Sequence, residues 1–256
     1  MKVVTFSLTG WRRHWRLLLA AALGLAALWP LAARHRPASA RGGHAPGVVW
    51  YVDLPPDRRV IALTFDDGPS PYTPRILELL QHYHQQATFF VLGQNAARYP
   101  QYVRAEAQAG MEVADHTYSH LNLARHSAAT DEADLRRAQD LLTRLTGRTP
   151  VLLRPPYGTY NRDLLEVARR LGLHVVMWSW TEDSRDWTRP GVGTIVQRVL
   201  AHLEPGDIVL MHDGGGDRSQ TVEALAIILR DLAAGGWRSV TVSELLRMAP
   251  APGPAS

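Results

Sequence analysis

The chain has 256 residues, with 28 Lys+Arg against 24 Asp+Glu and no cysteine. Without cysteine, a disulfide framework, a thiolate zinc site and a cysteine nucleophile are all excluded. The formal charge of +4 is misleading. Residues 1–47 hold Lys2, Arg12, Arg13, Arg16, Arg34, Arg36 and Arg41 and no acid, which leaves 28 − 7 = 21 bases against 24 acids beyond them. The basic excess therefore belongs to a targeting-type segment, and a nucleic-acid partner is rejected.

Trp11 to Arg16 is a basic flank, and residues 17–33 are an apolar run broken only by Pro30. That length lies between a signal-peptide core and a spanning helix. Ala38-Ser39-Ala40 fits a small-x-small cleavage site, although Arg34, His35 and Arg36 intrude before it. The expectation is an exported protein whose residues 1–40 are a signal peptide or an N-terminal membrane anchor. Residues 41–57 read as linker and lead-in, with folded chain beginning near Val48, 58–248 as the main folded domain and 249–256 as a flexible tail.

Residues 60–65 predict a buried strand running into Asp66-Asp67-Gly68-Pro69. A helix follows from Thr73, its expected N-cap, with Pro74 in the first helical position. Strands are predicted at 87–92, 111–114, 151–153, 174–180, 207–211 and 239–242. Between them lie helices at 100–108, 130–145, 162–171, 193–203 and 221–234. Seven strands alternating with helices imply an α/β fold with a parallel sheet and right-handed crossovers. In about 200 residues a (β/α) barrel-like closure fits better than an open doubly wound sheet. Either way the strand C-terminal ends share one face, where ligands bind.

The polar motifs sit at those ends. Adjacent Asp66 and Asp67 crowd two like charges, a costly arrangement unless a cation or a shared proton relieves it; an ordinary Asp-Gly-Pro turn is the blander reading. His116 and His120, four apart, can turn both imidazoles to one side. One added carboxylate makes a two-His, one-carboxylate site with open positions, suited to zinc, with cobalt, iron or nickel also able to bind. If one Asp of the pair is a ligand, the other is free to act as base. Arg154 can clamp a carboxylate, and the turn after it can aim the Tyr157 N–H at an oxyanion. His212 can donate a proton, tuned by Asp186 or Asp213. Trp187 can wall a sugar ring, while Trp178 reads as core. His82, His84, His126, His174 and His202 read as surface or packing residues.

Thr64-Phe-Asp-Asp-Gly-Pro69, His116-Thr-Tyr-Ser-His120, Arg154-Pro-Pro-Tyr-Gly158, Asp183-Ser-Arg-Asp186-Trp187 and Ile208-Val-Leu-Met-His-Asp213 together resemble, in order, the five motifs of the polysaccharide deacetylases. This is carbohydrate esterase family four, the NodB homology domain. The resemblance covers about 58–248 and implies a distorted (β/α) barrel of about seven parallel strands with one divalent metal, usually zinc. By position it makes Asp67, His116 and His120 the metal ligands and Asp66 the base, with Arg154 steadying an active-site carboxylate. It makes His212 the acid, supported by Asp186, gives the Tyr157 backbone to the oxyanion, and sets Trp187 and Leu210 around the acetyl methyl. Two departures stand out. Asp115 replaces a common Asn and adds negative charge beside the metal, and the segment from Trp178 to Glu182 reshapes the groove wall.

The function these readings predict is removal of N-acetyl groups from aminosugars of a wall or extracellular polysaccharide, peptidoglycan first, with chitin oligomers, exopolysaccharides or O-acetylated xylan as alternatives. Partners would be the N-acetylated polymer and, if residues 1–40 are retained, a membrane. A silent glycan-binding module is the rival of another class. A two-carboxylate glycosidase is a third reading, disfavoured because adjacent carboxylates cannot easily flank a glycosidic bond.

Overall fold

The structure is a computed structural model and describes residues 47–249. The expected signal or anchor at 1–40, and most of the expected tail, lie outside the described residues. Among the described residues no helix is long and apolar enough to cross a membrane.

Eight strands form the sheet: β1 (Val48–Val49), β2 (Val60–Asp66), β3 (Ala87–Val91), β4 (Glu112–Asp115), β5 (Leu152–Leu153), β6 (His174–Val176), β7 (Ile208–His212) and β8 (Arg238–Ser239). All their pairings are parallel, in the order β1-β6-β5-β4-β3-β2-β7, with β8 also on β2. The helices are α1 (Thr73–His82), α2 (Gly93–Arg98), α3 (Pro100–Gln108), α4 (Ala128–Thr146), α5 (Arg162–Arg170), α6 (Val192–Leu200), α7 (Ser219–Ala234) and α8 (Val242–Arg247). The architecture is the expected distorted (β/α) barrel.

Every residue of β2 is buried, as expected of a strand with its sheet covered on both faces. Its odd residues Ile61, Leu63 and Phe65 face outward into the layer where Ile76 and Leu80 of α1 and Leu225 and Ile228 of α7 pack. Val60 and Ala62 face inward, with Phe90, Ala114, Leu152, Val176 and Ile208 from the neighbouring strands. Val242 and Leu245 of α8 join this inner cluster, so the last helix stoppers the barrel. The seam between β6 and β7 is closed by the lead-in chain. Val48 and Val49 pair with β6, while Tyr51 bridges Asp207 in antiparallel fashion. On the other side of that seam, Asp183 bridges Leu210.

Several local details differ from the sequence reading. The strand expected over 174–180 ends at Val176, and β1 and α2 were not expected. Tyr72, not Thr73, stands at the α1 N-cap, and Thr73 is the first helical residue. The Thr73 hydroxyl is engaged instead by Ser70 N at 2.9 Å and by the Asp213 carboxylate. The last predicted strand stops at Ser239, because Thr241 caps α8 by accepting from Glu244 N.

Candidate active site

The period-two pleat that puts Val60 and Ala62 inside the barrel also carries Thr64 and Asp66 inward, nearer the strand C-terminal end. Register then assembles the site. Asp66 pairs with His212 and Thr64 with Leu210 across β2 and β7. Asp115 pairs with Leu153, so His116 and Arg154, one residue further on, meet at the rim. Arg154 N donates to Asp115 O at 3.0 Å, and His116 Nδ1 lies 2.7 Å from Arg154 O.

Strand alternation alone would send Asp67 outward. Its backbone instead turns left-handed, at φ 68°, a conformation Asp tolerates better than most residues. Both carboxylates therefore reach one site. The turn is held from several sides. Asn95 of α2 donates to Asp67 O at 2.8 Å, and Leu92 N donates to Gly68 O at 3.0 Å. Beneath it lies the fully buried Asp213, whose carboxylate packs so closely on Gly68 that a Cβ there would collide with it.

His116 and His120 sit in a tight loop, not on a helical turn. Asp134 of α4 accepts from Tyr118 N at 2.7 Å and Ser119 N at 3.2 Å, and Thr117 Oγ1 accepts from His120 N at 2.9 Å. Thr117 and His120 both have positive φ, 71° and 58°. Strained non-glycine residues of this kind persist where the surroundings over-determine them.

Asp67, His116 and His120 offer ligand atoms that all lie within 4.8 Å of one another. Asp67 Oδ1 is buried without a hydrogen-bond donor, 3.4 Å from His116 Nε2 and 3.2 Å from His120 Nε2. Two bonds of ~2.0–2.1 Å at a tetrahedral angle span about 3.3 Å, so these separations suit zinc-sized coordination. Electrostatics agrees. Burial alone would raise the Asp67 carboxyl, yet the neighbouring imidazoles of His116 and His120 and the charge of His212 hold it far below the usual range. A cation fits this donor set.

Asp66 lies beside the trio. Its Oδ1 accepts from Arg154 Nη1 at 2.8 Å, and its Oδ2 lies 4.0 Å from His116 Nε2. Arg154 is fully buried. It donates to Thr64 Oγ1 at 2.7 Å, Met177 O at 2.8 Å and Val176 O at 3.3 Å, with its guanidinium 4.1 Å from the Phe90 ring centroid. Five donors in a planar fork explain why arginine occupies this position.

Of the two acids left open as partners of His212, Asp186 is the one in contact. Its Oδ1 meets His212 Nδ1 at 2.7 Å and its Oδ2 accepts from His212 N at 2.9 Å and Thr221 Oγ1 at 2.8 Å. Nε2 is left for the site. Burial pulls the imidazole pKa down, but the Asp186 bond and charge, with the charges of Asp66 and Asp67, together raise it to about 9.

Tyr157 has φ 61° in the turn after Arg154, is 64% exposed and puts its hydroxyl 3.1 Å from His120 Nδ1. Trp187 is exposed on a single 3-10 turn over Asp186–Thr188. Leu210 is buried on the inward face below His212. Trp178 packs against two core clusters, whereas Trp180 is 81% exposed with its ring 6.5 Å from that of Trp50. His126, His174 and His202 are exposed and are not among the grouped ligand side chains. Asp115 is buried, with Oδ1 accepting from Thr117 N at 2.6 Å and Oδ2 without a partner. Burial, opposed by the Thr117 bond and the His116 charge, raises its carboxyl to about 8.

The sequence reading missed Thr64, Asn95, Asp134 and Thr221. Only Thr64 left a signal, as a polar residue two before Asp66 on an otherwise apolar strand.

A His-His-carboxylate cluster, a clamped free carboxylate and an Asp-buttressed histidine thus meet at the strand ends of the barrel, a set whose chemistry suits metal-assisted hydrolysis. The comparisons with known proteins agree. The family model described as polysaccharide deacetylase matches residues 53–176. A peptidoglycan-N-acetylglucosamine deacetylase of Bacillus cereus is 45% identical over 201 residues, 78% of this chain and 93% of that protein. The solved Bc1960 peptidoglycan N-acetylglucosamine deacetylase superposes with a TM-score of 0.74 at 34% identity, over 79% of this chain and 94% of its own. A pseudoenzyme of carbohydrate esterase family four from Bacillus anthracis superposes at 0.73 with 28% identity, over 81% and 72%. The chain belongs to the polysaccharide deacetylase family.

Proposed function

We propose that this protein hydrolyses the N-acetyl groups of N-acetylglucosamine in peptidoglycan, at the cell envelope, after export directed by residues 1–40. Residues 58–248 are the catalytic domain in this reading, and zinc is the metal. The observation that carries it is the meeting of Asp67, His116 and His120 within one ion's reach, flanked by Asp66 and by the His212 paired in register with it.

Asp67, His116 and His120 would hold the divalent cation, which supplies Lewis acidity toward the acetamide carbonyl and lowers the pKa of water beside it. Asp66, steadied through Oδ1 by Arg154, uses its free Oδ2 to take a proton from the attacking water. The new C–O bond places negative charge on the former carbonyl oxygen, where the Tyr157 N–H meets it. His212, kept cationic by Asp186, gives its Nε2 proton to the amide nitrogen as the C–N bond breaks. Acetate and a free amine on the sugar are the products. Trp187 and Leu210 border the acetyl group.

A catalytically silent glycan-binding role has one observation in its favour, the likeness to a pseudoenzyme fold. It is opposed by the filled set of Asp66, Asp67, His116, His120 and His212. The decisive measurement is acetate release from peptidoglycan, chitin oligomers and acetylated xylan, with and without chelator. Asp66→Asn and His212→Ala should each lose turnover by orders of magnitude at near wild-type metal content, and His120→Ala should lose the metal as well. Full activity in Asp66→Asn would refute the assignment of the base.

A further inference from the structure

The two imidazoles of the cluster are braced differently. His116 has only 4% of its side chain exposed, and its Nδ1 faces a main-chain carbonyl, that of Arg154, at 2.7 Å. Such a brace is fixed by the fold and no side-chain substitution removes it directly. The His120 side chain is 26% exposed. Among the described residues, the Nδ1 partner found for it is a side chain, the Tyr157 hydroxyl at 3.1 Å. The rings also meet edge-on, with centroids 4.7 Å apart at 63°.

We propose that the Tyr157 hydroxyl is a positioning residue for the cation site, acting through His120. This rests on the reading of Asp67, His116 and His120 as ligands, and it is separate from the role of the Tyr157 backbone N–H. When Nε2 of His120 gives its lone pair to a cation, Nδ1 must carry the ring proton, and the Tyr157 oxygen is placed to accept it. The bond selects that tautomer, fixes the ring about its χ2 axis toward Asp67 Oδ1, and makes Nε2 more basic. The positive φ values of 61° at Tyr157 and 58° at His120 aim the two side chains at each other from separate loops. A partner this exposed is in competition with water, so the pair holds only because both backbones are set. The hydroxyl's own proton stays free for solvent or substrate.

Tyr157→Phe keeps the backbone N–H, the ring and its edge contact, and removes only the acceptor. Zn2+ affinity is measured without substrate, by competition with a chromophoric chelator, on the full chain. Loss of an outer-sphere partner of this kind typically costs about 10–100-fold, and that drop is expected, with faster Zn2+ release to the chelator. The d–d spectrum of the Co2+-loaded variant should also shift, while thermal unfolding of the metal-free protein stays at the wild-type temperature. Unchanged Zn2+ affinity together with an unchanged Co2+ spectrum overturns the inference and leaves the deacetylase reading standing. An affinity loss matched by an equal loss of metal-free stability overturns it too, since the effect is then on folding. A wild-type protein that takes up no stoichiometric Zn2+ overturns both.

Discussion

Replacing Arg154 should damage stability and catalysis together, and to calculable extents. Its guanidinium is fully buried and makes four hydrogen bonds, to Asp66 Oδ1, Thr64 Oγ1, Met177 O and Val176 O. Arg154→Met keeps most of the volume but leaves the Asp66 carboxylate buried without its cation. Breaking a buried pair from one side costs about 3–5 kcal/mol. The Thr64 hydroxyl keeps its bond to Val209 O at 2.6 Å, and the two carbonyls that lose a donor are partly contained in that figure, so about 4 kcal/mol is a fair expectation. At about 2–4 °C per kcal/mol for a domain of this size, the midpoint should fall by roughly 8–16 °C. Arg154→Lys keeps a charge but not the fork. Losing about two charge-assisted bonds after allowing for repacking should cost about 2–3 kcal/mol. Its chemistry should suffer more than its fold, because a misplacement of about 1 Å in the base costs on the order of 100-fold in rate. Calorimetry on the metal-loaded proteins and acetate release under saturating metal read the two effects separately. A Met variant melting within about 2 °C of wild type, or a Lys variant with more than half the wild-type rate, would refute this account of Arg154.

The remaining predictions address other contacts of the site. The His212 pKa of about 9 puts an alkaline limb on the rate, since the proton donor is lost as pH rises through that value. Asp186→Asn removes the anion stabilising the imidazolium, so the limb should move to lower pH and kcat at pH 8 should drop more than at pH 6. An unmoved limb would separate His212 from the proton transfer. The same raised pKa stabilises the fold fully below the unfolded value of about 6.5, and that contribution fades through about 9. Gly68→Ala should push the Asp213 carboxylate off the turn, costing about 1–3 kcal/mol and weakening Zn2+ binding; a neutral outcome would show that the turn is compliant. Chelation should abolish acetate release and lower the melting midpoint. Ligand held at about 1,000 times its Kd adds about 4 kcal/mol to stability, and a chelator-insensitive midpoint would count against a resident cation.

Much of this was legible in the chain because parallel strands with both faces covered announce themselves as apolar runs, as at 60–65, 87–91 and 208–211. Their C-terminal ends could then be located, and the polar groups following them, Asp66, His116, Arg154 and His212, fell on one rim by the geometry of the fold class. The two-residue strand β1 illustrates the limit. Val48–Val49 is too short to carry a period, and its pairing with β6 depends on a partner more than 120 residues away. The helix α2 was illegible for a related reason. Gly93–Arg98 is only six residues long and carries no apolar period to mark a buried face, and it is held by tertiary bonds such as Gly93 N to Thr117 O at 2.9 Å and Gln94 N to Tyr118 O at 3.0 Å.

What sequence patterning does not reveal is which side chain steadies which. The pair Asp186 and Asp213 shows why. Asp213 is the immediate sequence neighbour of His212, yet the nearer acid points away. A strand's alternation sends residue 213 to the side opposite His212, into the buried space beneath Gly68, where it meets the Thr73 hydroxyl. Asp186, 26 positions off, arrives from a separate turn with both oxygens facing His212. Adjacency along a strand is thus evidence against a shared role unless the backbone leaves the extended region. The one adjacent pair that does converge, Asp66 and Asp67, converges because residue 67 adopts φ 68°. Two neighbouring acids in a strand-end motif therefore become a functional unit only when the chain between them turns, and that turn is specified here by Gly68, Asn95 and Asp213 more than by the acids themselves.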